Sequence, residues 1–305
     1  MTATATATAT APVPAPAPVP KTKSRSHPRA RLRRQRWKGL WRTAVVVVIG
    51  LLVNLPFLNA ICTAFRQDGD IATSPFSFAN GLTLSHFATV LSGSGYDFPR
   101  FLLNSAAIAF GTVVLVMLIA IPVSYSIVRL NFGGRWLLQS VTALRLIPAM
   151  FFAIPFFLMF SNAGLYDTVP ALILANTFLN LPLAILIICG SINEVPIEIE
   201  EAATIDGAGV YRSLFSIVLP LLAPGLVAVA ILVFLFSWSD YLFAVILSGS
   251  ESTPVTVGAA FFVTSAGIAW GNVSAVVVVS VVIPLVFAIF AQKYLVRGLS
   301  AGALK

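Results

Sequence analysis

Apolar runs of roughly 20 residues recur along the chain, broken by Pro, Gly and Asn but rarely by a charge. Each run suits a helix crossing a hydrocarbon core of ~30 Å at ~1.5 Å per residue. Strands of a membrane barrel alternate polar and apolar residues, a pattern that does not occur here. With 58% hydrophobic and only 10% charged residues among 305, the composition lies far from that of a soluble domain. The expected fold class is an all-α membrane protein.

Charge placement sets the topology. Ten of the nineteen basic residues (Lys21, Lys23, Arg25, Arg29, Arg31, Arg33, Arg34, Arg36, Lys38 and Arg42) lie directly before the first apolar run. This is the positive-inside signal, and it puts the N-terminus in the cytoplasm. The same segment attracts anionic lipid headgroups; with little aromatic interleaving beyond Trp37 and Trp41 it does not read as a nucleic-acid site, despite the net charge of +8. Residues 1–40 are read as a Thr/Ala/Pro-rich tail, disordered or polyproline-like to about residue 30, followed by the basic segment. A cleaved signal peptide is disfavoured because the run from Thr43 is too long for an h-region, and the stretch before Cys62 lacks the small residue of a lipoprotein site.

The apolar domain, residues 41–305, divides into six spans: about 43–65, 101–127, 136–160, 168–191, 214–248 and 272–293. Residues 66–100, with a short surface helix near 84–91, and 249–271 fall outside; the turns at Arg129–Arg135 and 193–213 and the tail 294–305 fall inside. The fifth span is too long for one straight crossing, so a break is expected at Pro220, Pro224 and Gly225. Cys62 and Cys189 are placed near opposite faces, too far apart to pair, and read as small apolar residues.

Between the fourth and fifth spans lies a polar insert holding five of the eleven acids, Glu194, Glu198, Glu200, Glu201 and Asp206. Pro196 suits a first helical turn, the glutamates suit the positive end of the helix dipole, Ala202 and Ala203 favour helix, and Gly207 offers a stop. The insert is read as a two-turn surface helix, a turn at Gly207 and a second helix entering the membrane. A polar helix between apolar spans suits contact with a cytoplasmic partner.

The order Glu201-Ala202-Ala203, Asp206-Gly207-Ala208 and Ile217-Val-Leu-Pro220 resembles the EAA loop of ABC importer permeases, and the chain from about residue 40 resembles the carbohydrate-uptake, MalG-like branch. Phe236-Ser-Trp238-Ser-Asp240-Tyr241-Leu242-Phe243 and the tail Gln292–Lys305 match that branch too; the Thr/Ala/Pro-rich tail departs from it. The resemblance implies a type I ABC importer permease fold with six transmembrane helices in the inner membrane. It implies a coupling loop of Glu200, Glu201, Ala202, Ala203, Asp206, Gly207 and Ala208 seated in an ATPase subunit, and a tail contact from Arg297, Gly298 and Lys305. The implied partners are a second permease subunit, two ATPase subunits binding ATP and Mg, and an external solute-binding protein; residues 249–271 are read either as the loop that meets the last of these or as an inert connector. The implied solute is a sugar, a polyol or a sugar-like glycerol phosphodiester.

Asp240 and Arg145 lie within apolar spans, where a charge costs at least ~2.5–3.5 kcal/mol on insertion scales and tends to face protein or water. A functional role is the starting hypothesis for both: for Asp240, lining the solute path and a structural hydrogen bond are equally open, and for Arg145 a structural role, an ion pair or bonds to carbonyls freed near Pro148, is favoured over a functional one. Trp238, Tyr241, Phe243, Asn104, Asn162, Asn176 and Asn180 are candidates for solute contact, with interhelical contacts and interfacial anchoring as the alternative. His27 and His86 lack ligand partners at useful spacing, so no metal is expected. Neither a phosphate-cradling G-x-x-x-x-G-K-[ST] nor a nucleophile–base set occurs, so the chain is read as a transport subunit rather than an enzyme. The rival classes are an ion-gradient-driven secondary transporter, which usually shows more intramembrane acids or broken helices arranged as repeats, and a membrane scaffold.

Overall fold

The computed structural model describes residues 28–73, 78–93, 95–264 and 267–301, with side chains placed except at 28–40, 135, 264 and 290–301. Thirteen helices occur among the described residues, with two 3-10 turns, one π turn and one two-residue hairpin. Among the described residues five helices are long and apolar enough to cross a membrane, or six if a bent pair counts as one span.

Helix α1 spans Pro28–Ala64, so regular structure starts well before the expected residue 43 and takes in the basic stretch from Arg29. Residues up to Leu55 and residues from Pro56 onward are separate units. In the first, every placed side chain from Trp41 to Leu55 is exposed, as a helix facing hydrocarbon would be. Residues 1–27, including His27, lie outside the described residues.

In the second unit, α2 (Asp68–Thr73) and α3 (Ser85–Leu91) lie in the first long loop. Two spans then follow the expected limits closely, α4 (Phe98–Arg129) and α7 (Val169–Glu194). These two pack along much of their length through small side chains, with Ala109, Ala120, Ala171, Ala175 and Ala184 buried. At Gly111 a Cβ would come within 2.5 Å of Ile173 Cδ1, so the missing side chain sets how closely the helices approach.

The third span is not the single helix expected over 136–160. It consists of α5 (Gly134–Leu144) and, after a 3-10 turn at Ala149–Phe152, α6 (Ala153–Asn162), with a 90° bend between the two halves. Pro148 accounts for the break: it lacks an N–H and disfavours helical conformation in Ile147 before it.

The fifth span breaks elsewhere than expected. From α9 (Val210–Ser213) the chain passes through a π turn at Leu214–Val218 into α10 (Leu219–Trp238), which carries Pro220 near its start and Pro224 inside it. A π turn loosens the hydrogen-bond ladder ahead of a residue that cannot donate. The interruption comes instead at Ser239–Tyr241, before α11 (Leu242–Leu247). The loop that follows holds α12 (Val255–Gly258) and strands β1 (Val263–Thr264) and β2 (Gly267–Ile268), paired antiparallel. Helix α13 (Trp270–Ala301) packs on α10 and continues through most of the expected C-terminal tail. Arg297 and Gly298 lie on this helix, with side chains outside the described set, as is all of Lys305.

Candidate functional site

Helix α8 (Ile197–Ile205) is the two-turn helix expected in the polar insert. Its end is closed by three backbone bonds, Asp206 N–H to Ala202 O at 3.2 Å, Gly207 N–H to Thr204 O at 3.0 Å and Ala208 N–H to Ala203 O at 2.9 Å. Gly207 takes φ +85°, the left-handed conformation that stops a helix in this way and that L side chains rarely adopt.

The glutamates of α8 part company. Glu201 is exposed, as are Ala202, Asp206 and Gly207, while Ala203 and Ala208 are half-buried. Glu200 is only 7% exposed. Its carboxylate accepts from Arg129 Nε at 2.6 Å, from the Tyr125 hydroxyl at 2.7 Å and from the Ser213 hydroxyl at 3.3 Å. Arg129 also donates to the carbonyls of Ile192 and Val195, at 3.0 and 2.7 Å. These bonds anchor Arg129 to the C-terminal end of α7, where carbonyls lack the full set of helix partners. One buried charge pair thus joins α8 to α4, α7 and α9, and the neutral donors around it meet the hydrogen-bonding demand that a buried pair carries. Away from this node Ile205 of α8 and Tyr211 of α9 are exposed, at 87% and 81%.

Among the other sequence candidates, Asn176, Asn180, Asp240 and Arg145 share one cavity of about 350 Å³. It lies where the third span bends and the fifth is interrupted, so both irregular backbones border a cavity, as expected for non-helical segments at membrane depth. Asp240 accepts from Phe243 N–H at 3.5 Å and Asn176 Nδ2 at 3.4 Å, and its carbonyl accepts from the Thr256 hydroxyl at 2.8 Å. The ion pair or carbonyl bonds expected for Arg145 do not form: among the described residues its guanidinium has no such partner, and it is exposed.

The remaining candidates lie elsewhere. Trp238 is 6% exposed and stacks on Phe234 in the packed core, and Phe243 is fully buried. Tyr241 and Asn162 are exposed. Asn104 donates to the carbonyls of Glu251 and Thr253, at 2.9 and 3.0 Å, and so holds the loop after α11 rather than lining the cavity. His86 is buried between the Arg66 carbonyl and Asn272 Oδ1. Cys62 and Cys189 are both free.

A third constellation carried no motif. Asp167, with φ +56°, lies between α6 and α7. Its carboxylate accepts backbone N–H bonds from Gly249 (2.7 Å), Ser250 (2.9 Å), Glu251 (3.0 Å) and Ser252 (2.9 Å), and one from the Ser252 hydroxyl at 2.8 Å. Partial burial opposes its charge, but the donors of Glu251, Ser252 and Gly249 outweigh that and lower its pKa to about 2. Arg100 pairs with Glu251 alongside.

The comparisons agree with this architecture. Residues 117–300 match the family model described as binding-protein-dependent transport system inner membrane component. The chain is 32% identical over 262 residues to the trehalose/maltose transport system permease protein MalG of Thermococcus litoralis, covering 85% of this chain and 94% of that one. It is 34% identical over 274 residues to the trehalose transport system permease protein SugB of Mycobacterium tuberculosis, covering 87% and 97%. To the diacetylchitobiose uptake system permease protein NgcG of Streptomyces coelicolor it is 32% identical over 267 residues, covering 86% and 87%. Among solved structures, a chain of a bacterial ABC transporter involved in the import of the acidic polysaccharide alginate matches with a TM-score of 0.68 at 20% identity, covering 86% of this chain and 98% of that one, so the two share a fold. These relatives give no support to an ion-gradient-driven carrier. The chain belongs to the family of binding-protein-dependent transport system inner membrane components, the multi-pass permease subunits of ABC importers.

Proposed function

We propose that this permease subunit forms half of the translocation path for a sugar or sugar-like solute, and that α8 couples it to a separate cytoplasmic ATPase. In this reading a second permease subunit completes the path, two ATPase subunits bind ATP and Mg, and an external solute-binding protein delivers the solute. Both termini are cytoplasmic, in keeping with the basic segment ahead of the first span. Relatives named for trehalose, maltose and diacetylchitobiose support a carbohydrate.

The observation that carries the reading is the two-sidedness of α8. On one side Glu200 is bound to residues of α4 and α9. On the other, Glu201, the protruding Ile205 and Asp206 at the helix end are exposed, as is Tyr211 of α9, an acidic and apolar mixture that suits a protein partner. A partner that moves this surface also pulls on the spans, because the linkage behind it is buried. The C-terminal segment with Arg297, Gly298 and Lys305 is proposed to add a second contact to the ATPase.

Gly207→Trp tests the reading in proteoliposomes containing all the subunits. A bulky L residue is strained at φ +85°, so the end of α8 should shift. The expected outcome is an assembled complex that hydrolyses ATP without accumulating sugar; normal uptake by the assembled variant would remove α8 from the coupling path.

A further inference from the structure

We infer that this chain itself contacts the transported solute, in the cavity between the α5–α6 bend and the α10–α11 interruption, and that Arg145 and Asp240 together select an uncharged polyhydroxylated ring. The inference rests on the importer reading and adds to it the site and the class of solute.

Four polar side chains line the cavity, and three of them, Arg145, Asn176 and Asn180, have bonding capacity unused. A guanidinium within a span is costly unless it meets water or a partner, and Arg145 has no partner among the described residues. The Asp240 carboxylate accepts from Asn176 Nδ2 and Phe243 N–H at 3.4 and 3.5 Å, the long limit for hydrogen bonds, and also faces the N–H groups of Leu242 and Ala244 at the start of α11, which hold it at the edge of the cavity. Asn176 and Asn180 lie one turn apart on α7 and donate through nitrogen to the carbonyls of Leu172 and Asn176. Among the described residues neither amide oxygen accepts a bond within the chain. The cavity thus combines unspent donors and acceptors, and Phe152, Phe178 and Phe236 supply apolar wall. A sugar ring presents the complement, hydroxyls at its edge and C–H groups on its faces. The volume of about 350 Å³ falls in the lower part of the range of small-ligand sites.

The two charges decide the class. Arg145 and Asp240 make a lining of no net formal charge. An anionic sugar gains from Arg145 but faces Asp240, and a cationic one meets the reverse, whereas neutral hydroxyls donate to the carboxylate and accept from the guanidinium without opposition.

The complete importer in nanodiscs, without its binding protein, can be probed by saturation-transfer difference NMR with methyl α-glucoside and methyl glucuronide. Wild type is expected to transfer to the glucoside in preference. Asp240→Asn should cut glucoside transfer about ten-fold, the scale of losing a hydrogen bond to a charged group, and raise glucuronide transfer, since Arg145 is then unopposed. Arg145→Gln should remove that gain when combined with it. Transfer unchanged in both single variants, or a wild-type preference for the glucuronide, overturns the inference. Gel filtration monitors assembly; if Asp240→Asn does not assemble, Arg145→Gln, at an exposed position, decides alone by lowering glucoside transfer or leaving it unchanged. The importer reading is judged separately, by ATP-dependent sugar uptake in wild-type proteoliposomes.

Discussion

At one end of α7, Glu200 is buried and held by side chains from α4 and α9; at the other, Asp167 is only partly buried and held mainly by consecutive backbone N–H groups. Both are carboxylates that fix a connecting segment, yet their chemistry differs. The Glu200 node depends on the identity of Arg129, Tyr125 and Ser213, and it ties together three separate helices, α4, α8 and α9. The Asp167 nest depends on the backbone path of four residues and one acceptor, and it shapes a single loop. A node of named side chains can transmit displacement between helices, whereas a nest stabilises a conformation.

The sharpest break of this comparison is removal of a partner at the node. Arg129→Ala or Glu200→Ala leaves a buried charge unpaired, a loss of about 3–5 kcal/mol for such pairs. Thermal unfolding of the purified subunit should show each single variant strongly destabilised and the double variant less affected than the sum, because the two share one interaction. A strictly additive double variant would mean that the two residues act separately.

How far this was legible in the sequence differs between the ends. The short helix and its stop were readable because Ala-Ala and Gly207 obey local rules of propensity and capping. Which glutamate faces inward was not, since adjacent helical positions differ by about 100° and the partner Arg129 lies 71 residues earlier. Asp167 had no readable partner: all but one of its donors are main-chain groups, 82 to 85 residues later, and every residue but proline has one. The broken spans show the same limit, for Pro148 ends a helix while Pro220 and Pro224 do not, and the π turn that accommodates them leaves no pattern in composition. Asp240 and Asn180 were found as polar residues in apolar runs, but their sharing a cavity with Arg145 follows from bends that sequence rules did not place.

At the Asp167 nest the effect should be smaller and local. Asp167→Ala leaves several backbone donors without their acceptor, a cost of about 1–3 kcal/mol, and limited proteolysis should find the segment around residues 249–254 more susceptible. Unchanged cleavage would mean that Asn104 alone holds the segment. Acid should mimic the variant. The Asp167 carboxyl has its pKa lowered from an ordinary 3.8 to about 2, so its contribution is full above pH ~4 and is lost as pH falls through about 2. Between those values the thermal midpoint of wild type should fall more steeply than that of Asp167→Asn, which has no proton to take up; parallel curves would contradict this linkage.

The smallest effect is expected beside the nest, at Arg100 and Glu251. Their side chains are 44% and 65% exposed, so water and salt screen the pair. Exposed ion pairs contribute ~0–1 kcal/mol, and here the backbone of Glu251 is already bound, through its N–H to Asp167 and its carbonyl to Asn104. Glu251→Gln should therefore leave the thermal midpoint nearly unchanged, and raising the salt concentration should erase what difference there is. A loss as large as that of Asp167→Ala would show that the side-chain pair, and not the nest, orders this loop.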